Sequence, residues 1–289
     1  MFIFFKPILQ IMSFLIVGWV SSGLVEKTLN EEKISLELKK AYVDLKEASK
    51  HIKALSEMKT EFLKVVNHQL RTPVSIIKGM LSMMAEGSVK GKKLKEFIKK
   101  SYLSSERLST LLDDILLAQT LVGGTFHLNL SPCQIEDIIY TLLEYFKPLA
   151  RANKLRITFT KPKEPLPTTL ADSEMLKRAI SRLIDNAILY SDKGRIEISL
   201  SLKKQKDKQL IQFTIKDSGI GLDKEDKENL FKLFYRGEKA TSLHPNGSGL
   251  GLFIVKHIIK AHKGTIRVKS KGRGKGTTFF IALPVIGEM

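Results

Sequence analysis

Residues 62–73 read Phe62-Leu63-Lys64-Val65-Val66-Asn67-His68-Gln69-Leu70-Arg71-Thr72-Pro73. His68 and Thr72 are four apart, which on a helix is one face. Pro73 has no N–H and crowds the carbonyl of Gln69, so it loosens and bends a helix beside the histidine. A proline inside a helix costs ~3 kcal/mol. That is a poor choice for a purely structural rod and a reasonable one for a site that must flex. An isolated exposed histidine is usually only a surface residue; these neighbours make His68 a candidate site.

Upstream, residues 31–62 contain neither Gly nor Pro. Apolar side chains fall at Ile34, Leu38, Ala41, Leu45, Ala48, Ile52, Leu55 and Phe62, a 4-3 alternation that skips only Lys59. Such heptads with charged flanks predict a coiled coil, most simply a parallel homodimer. A lone amphipathic helix on a globular body is the plainer alternative. Carried forward, this frame puts His68 outside the seam, facing solvent. The helix is expected to continue to residue 84. Gly87 and Gly91 bracket a short turn, and a second amphipathic helix follows over 92–121. Its apolar face is Leu94, Phe97, Ile98, Leu108, Leu111, Leu112, Ile115 and Leu116. Two helices joined by a short turn make an antiparallel hairpin, and two hairpins a four-helix bundle.

Downstream, Gly123-Gly124 marks a domain boundary. The rest alternates strand-like and helix-like runs: strands over 126–130, 155–160, 195–202, 210–216, 265–270 and 277–283, and helices over 134–152, 172–190 and 249–262. Asp172 is the expected N-cap of the second of these helices. The order predicts a mixed sheet with helices on one face, an α/β sandwich. Asp217-Ser218-Gly219-Ile220-Gly221 directly follows a strand, and alone it is an ordinary turn. Further on, Asn246-Gly247-Ser248-Gly249-Leu250-Gly251 runs into a helix. That geometry offers backbone N–H groups and a helix N-terminus to an anion, here a triphosphate. No Gly-Lys-Ser/Thr closes it, so it is not a Walker loop, and its glycine spacing does not fit a dinucleotide fingerprint. Between the glycine boxes, the polar segment 222–246 reads as a lid closing over nucleotide.

These runs resemble the histidine kinases. His68-Gln69-Leu70-Arg71-Thr72-Pro73 is similar to their phospho-acceptor box, usually His-Glu-Leu-Arg-Thr-Pro. The resemblance implies that His68 is the nucleophile, that residue 69 holds its proton, and that Thr72 orients water in dephosphorylation of a partner. Gln69 departs from the pattern: it can accept from a ring N–H but is no base. Since free imidazole is largely neutral near pH 7, slower phosphorylation is expected, by roughly the 10²-fold low end of general-base effects. The carboxy-terminal boxes resemble the ATP-binding domain that these kinases share with gyrase, Hsp90 and mismatch-repair ATPases. The resemblance implies that Asn186 of the N box (Arg182 to Tyr190) binds magnesium and Tyr190 lies against adenine. It implies that Asp217 accepts from the adenine amine, with Gly219 and Gly221 beside it. Phe231 to Gly237 matches the F box. Gly247, Gly249, Leu250 and Gly251 match the second glycine box, and Thr277 and Thr278 the Gly-Thr-Thr-Phe ending. Two positions depart. Arg182 replaces the usual first Asn, as either a surface-facing helix residue or one that repels the metal. Leu189 replaces a frequent phosphate-binding Lys; Lys193, Arg236 or Lys256 would replace that charge, with Arg236 preferred.

At the amino terminus, residues 7–25 carry no charge and would span roughly 28 Å as a helix, one bilayer core. Phe2 to Phe5 extend the apolar run beyond Lys6, and Trp19 suits an interface. A cleaved signal peptide is the rival, with Lys6 as its basic start and Ser21-Ser22-Gly23 its exit. Cleavage would export an ATP-using protein to where ATP is scarce, so an uncleaved anchor is expected. Lys27, Lys33, Lys39 and Lys40 put the rest on the cytoplasmic side.

The 289 residues carry a formal net charge of +18, with lysines scattered rather than gathered. No zinc-finger or RNA-recognition pattern accompanies it, and basic residues are not interleaved with aromatics, so no nucleic-acid partner is expected. An anionic inner leaflet accounts for the charge as well as general solubility does. Cys133 is the only cysteine, so a disulfide or Cys-based zinc site is excluded.

The expected organisation is multi-domain. It comprises a transmembrane anchor (1–25), a coiled-coil signalling helix (26–58), an all-α dimerisation and phosphotransfer hairpin (59–122), and an α/β sandwich of the Bergerat or GHKL type (123–289). The expected function is ATP- and Mg2+-dependent phosphorylation of His68 in a homodimer at the inner (cytoplasmic) membrane, then transfer to an aspartate of a response regulator receiver domain. A degenerate scaffold, a phosphatase-biased regulator and an ATP-driven clamp are the rivals.

Overall fold

The computed structural model describes residues 5–162, 164–205, 208–245 and 247–285; side chains at 5–11, 22–32, scattered positions up to Glu61, and Gln205 and Lys208 also lie outside the described ones. Asn246, the first residue of the second glycine box, is therefore not described. Helix α1 (Phe5–Ala85) runs without interruption through Pro73. The chain divides within it into two compact units, Met1–Lys64 and Val65–Met289.

In the first unit, Leu38, Leu45 and Ile52, three of the expected seam residues, are 70%, 68% and 66% exposed. The span expected over 7–25 falls largely on side chains outside the described residues. Among the described residues, no helix is long and apolar enough to cross a membrane.

The second unit opens with the end of α1 and with α2 (Lys92–Val122). Ser104 Oγ donates to the carbonyl of Pro73 at 3.4 Å, and Ser101 Oγ lies 3.5 Å from Met80 Sδ, so the two helices form the expected antiparallel hairpin. Ile115 and Ala118 of α2 are buried, and α2 packs against helix α7 (Gly251–Ala261) of the α/β part.

That part holds strands β1 (Ser131–Cys133), β2 (Leu155–Thr160), β3 (Thr169–Ala171), β4 (Gly194–Gln205), β5 (Lys208–Lys216), β6 (Thr265–Lys269) and β7 (Thr278–Pro284). Five of them form one sheet in the order β2-β4-β5-β7-β6; β2 and β4 are parallel and the other pairs antiparallel. Helices α3 (Ile135–Ala152) and α4 (Ser173–Leu189) join α7 on it, with β3 and α4 in the crossover from β2 to β4. Alternation does the sorting. Ile196, Ile198 and Leu200 of β4 and Ile211, Phe213 and Ile215 of β5 are buried. Ile139, Leu143 and Phe146 of α3, Leu176, Ile180 and Leu183 of α4, and Ile254 and Ile258 of α7 are buried as well. Each such side chain contributes roughly 1.5–3 kcal/mol of burial. Cys133 is a buried free thiol.

Two local readings are corrected. Residues 126–130 form no strand; instead the N–H of Asn129 donates to Asp172 Oδ2 at 2.9 Å, so this segment follows the cap of α4 rather than a ladder. The pairing nearby is β1 with β3, antiparallel. The lid segment is not a plain loop, because it contains α5 (Lys224–Asn229) and α6 (Glu238–Leu243). Asp223 caps α5 reciprocally with Asp226, which lets so short a helix form.

Candidate functional site

The predicted site residues form two groups. The first is on α1. His68 and Thr72 are exposed and Gln69 is half-buried. Thr72 Oγ1 lies 3.4 Å from the carbonyl of His68 and donates to it. Pro73 is buried, and its carbonyl accepts from the Ser104 hydroxyl of α2 at 3.4 Å; the helix bond its ring forbids is the one to the carbonyl of Gln69.

The second group lies where β5 ends. The N–H of Asp217 donates to the carbonyl of Thr277 at 2.9 Å. Asp217 Oδ1 accepts from the N–H groups of Gly219 and Thr277, at 2.8 and 3.0 Å. Burial pushes this carboxyl up from the usual range, and those N–H groups partly offset the effect. With Oδ1 held by two donors, Oδ2 is the oxygen available to a ligand amine. Gly219 is buried so close to the end of α4 that a Cβ would strike the carbonyl of Tyr190, which accepts from the N–H of Ile220 at 3.0 Å. Tyr190, the C-cap of α4, Gly219 after β5 and Thr277 before β7 are thereby tied into one corner, with Asn186 one turn back on α4, and Gly221 and Thr278 adjoining it in the chain. The 272–276 turn backs it: Gly276 N–H donates to Gly219 O at 3.1 Å, and Ser270 Oγ bridges Leu222 N–H and Gly276 O at 3.0 and 2.7 Å. Sequence reading missed Ser270 and this turn; the alternating glycines at 272, 274 and 276 were the available signal.

The lid closes the corner from above. His244, which follows α6, meets the Tyr190 ring edge-on at 5.5 Å, and its Nε2 donates to the carbonyl of Leu189 at 2.9 Å. Arg236 lies within the lid, donating to the carbonyls of Pro245 (2.8 Å), Ala240 (3.0 Å) and His244. Gly247 packs against this guanidinium. The Tyr235 hydroxyl donates to Asp226 Oδ1 at 3.1 Å; burial and that carboxylate push the phenol up to about 12. Phe234 adopts φ 61°, and Gly249, at φ 71°, presses on its backbone where any side chain would collide. The F box and the second glycine box are thus fitted to each other. Leu250, fully buried, is the N-cap of α7 and supplies no side-chain cap, which leaves that helix's first N–H groups to an anion.

Arg182 has a partner that the sequence did not foresee. Its Nη2 donates to both oxygens of Asp114 on α2 at 2.8 Å, and Arg178 Nη2 donates to Oδ1 at 2.8 Å. Asp114 is buried, so the N-box helix is stitched to α2 by a closed ion pair.

The corner fits a nucleotide. It offers a half-buried carboxylate with one oxygen left over, uncapped helix N–H groups and a glycine cradle. Beside Tyr190, the buried hydroxyl of Ser191 has no hydrogen-bond partner among the described residues. Among the described residues, no group of three or more His, Cys, Asp and Glu side chains stands ready for a metal. A magnesium ion needs few protein ligands, and the half-buried amide of Asn186 with nucleotide oxygens and water fits it.

Residues 58–123 match the His Kinase A (phospho-acceptor) domain, and residues 171–286 match the histidine kinase-, DNA gyrase B- and HSP90-like ATPase domain. The chain is 31% identical to the sensor-like histidine kinase SenX3 of Mycobacterium tuberculosis, over 79% of this chain and 54% of SenX3. It is 29% identical to the sensor histidine kinase WalK of Bacillus subtilis, over 80% of this chain and 37% of WalK. The chain thus spans about half the length, or less, of these relatives. Among solved structures, the Acinetobacter baumannii histidine kinase AdeS is similar at 26% identity and TM-score 0.59, covering 75% of this chain and 98% of that one. Histidine kinase ThkA, seen in complex with response regulator protein TrrA, shares the fold at 22% identity and TM-score 0.58, over 78% of this chain and 61% of that one. With an exposed histidine on the first helix of a phospho-acceptor hairpin, and this ATPase fold following it in order, the chain carries the phospho-acceptor and ATPase domains of the histidine kinase family.

Proposed function

We propose that the chain is an ATP-dependent protein-histidine kinase. An imidazole nitrogen of His68 attacks the γ-phosphorus of ATP, the bond to the β-phosphate oxygen breaks, ADP leaves, and the ring keeps the phosphoryl group as it gives up a proton. A carboxylate oxygen of a response regulator aspartate then takes that group, which restores the imidazole. The observation that carries this reading is the Asp217 carboxyl, gripped through one oxygen by Gly219 and Thr277 in a glycine-lined corner. Asp217 accepts from the adenine amine, Tyr190 covers the ring, and the N–H groups from Gly249 to the start of α7 take the phosphates. The Asn186 amide would hold magnesium, which would supply positive charge to offset the charge developing on the phosphates.

The active form is a homodimer. Exposed Leu38, Leu45 and Ile52 on one unit, and Leu81, Ile98 and Leu116 on the hairpin, call for a second copy. The chain is anchored by residues 7–25 in the inner membrane with its enzymatic part cytoplasmic, as the lysine bias after the apolar run supports. A receiver domain docks near His68, in keeping with the ThkA–TrrA complex.

The test is incubation of the full chain, in detergent, with γ-labelled ATP. Acid-labile, alkali-stable label that disappears in His68→Ala supports the kinase. Bound ATP without label makes the chain a nucleotide-binding scaffold, and steady release of free phosphate without phosphoprotein makes it a clamp.

A further inference from the structure

Asp114 is 3% exposed, and its carboxylate is shared by two guanidinium groups, Arg178 and Arg182. One charge is in excess: two arginines face one carboxylate. Arg178, Arg182 and Asn186 follow one another at four-residue steps, so they lie along one face of α4, with Arg182 one turn from Asn186. The guanidinium of Arg182 sits on a long flexible stem and is a strong bidentate ligand for phosphate as well as carboxylate. Two of the other candidate cations have partners of their own. Arg236 holds three lid carbonyls, and Lys256 Nζ lies 5.7 Å over the Phe231 ring. Leu189, on the last turn of α4, brings no charge.

We infer that Arg182 is a phosphate-binding residue for the nucleotide and that Asp114 holds it in reserve. When the polyphosphate of ATP reaches Asn186, Arg182 exchanges the Asp114 carboxylate for phosphate oxygens. The second arginine makes the exchange feasible. Stripping a buried carboxylate of its only partner leaves an uncompensated charge, which is strongly destabilising. Here Arg178 stays on Asp114 at 2.8 Å and keeps it neutralised. Because Asp114 belongs to α2 and Arg182 to the N-box helix, the exchange also removes one of the two arginine contacts that pin the ATPase domain to the hairpin. By linkage, phosphate binding weakens that contact by the same factor as the contact weakens phosphate binding.

This inference rests on the ATP-binding reading above, and the test separates the two. The full chain is titrated with MgATP and with adenosine, which shares the base but has no phosphates. Asp114→Asn is expected to bind MgATP tighter by roughly fivefold or more with adenosine affinity unchanged. Arg182→Gln is expected to weaken MgATP by roughly tenfold or more, again sparing adenosine. Should Asp114→Asn fail to fold, Arg182→Gln carries the test alone. MgATP affinity unchanged in Arg182→Gln, or MgATP and adenosine shifting together, overturns the role of Arg182. If the parent chain binds neither compound, the ATP-binding reading itself falls.

Discussion

The peptide N–H of Asp172, the cap of α4, donates to Nε2 of His262 at 3.0 Å, while Nδ1 of the same ring donates to the carbonyl of Ile258 at 2.8 Å. One neutral imidazole, buried at the end of α7, thus ties the two helices on which the N box and the second glycine box stand. Its tautomer is set by the two partners: a peptide N–H can only donate and a carbonyl can only accept.

The bridge makes stability depend on pH. Burial holds His262 below its ordinary value, against the raising effects of the Ile258 carbonyl and Asp172. The unfolded chain therefore binds the proton first, near pH ~6.5. The stability contributed by the neutral ring is complete above that pH and is lost as pH falls through it toward the folded value. His262→Gln, which does not titrate, should show a flatter fall in melting temperature between about pH 7 and pH 5. Identical slopes for parent and variant would rule the bridge out as the source.

Asp217 has the opposite sign. Its carboxyl is raised by burial in the fold, so ionisation at neutral pH works against folding. The contribution is fully present below the unfolded value of ~3.9 and is lost as pH rises through the folded one. Asp217→Asn keeps an oxygen for the N–H groups of Gly219 and Thr277 but presents an amide donor where a ligand amine would donate. It should melt higher than the parent at neutral pH, by a margin that shrinks toward pH ~4, and lose ATP binding. A variant that melts lower while retaining nucleotide contradicts this account.

Gly249 should tolerate nothing larger. At φ 71° an alanine is strained, and its Cβ would lie 2.6 Å from the carbonyl carbon of Phe234. A positive-φ alanine alone costs about 1–2 kcal/mol. Gly249→Ala is expected to lose at least that in denaturant unfolding, and to expose the lid to proteolysis. Full stability in the variant would mean that the lid does not depend on this contact.

Gln69 predicts a gain of function. Beside exposed His68 it can orient the ring but cannot take its proton. Gln69→Glu restores a base and should raise the initial rate of label uptake by up to roughly 10²-fold. An unchanged rate would show that proton removal does not limit the reaction.

The seam offers a test of assembly. Leu45 and Ile52 are exposed in the single chain at expected core positions. Paired Leu45→Lys and Ile52→Lys substitutions should move the mass measured by light scattering toward the monomer and reduce phosphorylation if transfer occurs across the dimer. A dimer of undiminished stability would place the interface elsewhere.

Short-range order was legible in the sequence. The 4-3 alternation identified the long helix, and Gly87 and Gly91 its turn. Alternating Ile and Leu marked β4 and β5, and the oxygen of Asp172 marked the start of α4. The glycine boxes and His68 were legible for the same reason, since each is a local run whose chemistry follows from neighbours in the chain. The strand expected over 126–130 failed because alternation cannot say whether a ladder partner exists, and Asp172 claimed that backbone instead. The roles of Arg178, Arg182 and Asp114 were beyond reading. These residues lie 64 and 68 positions apart, and only the packing of α2 against the ATPase domain brings the carboxylate to the guanidinium groups. Periodicity and capping act over one or two turns. Charge pairing between buried side chains acts wherever the fold excludes water, and tertiary structure decides where that is.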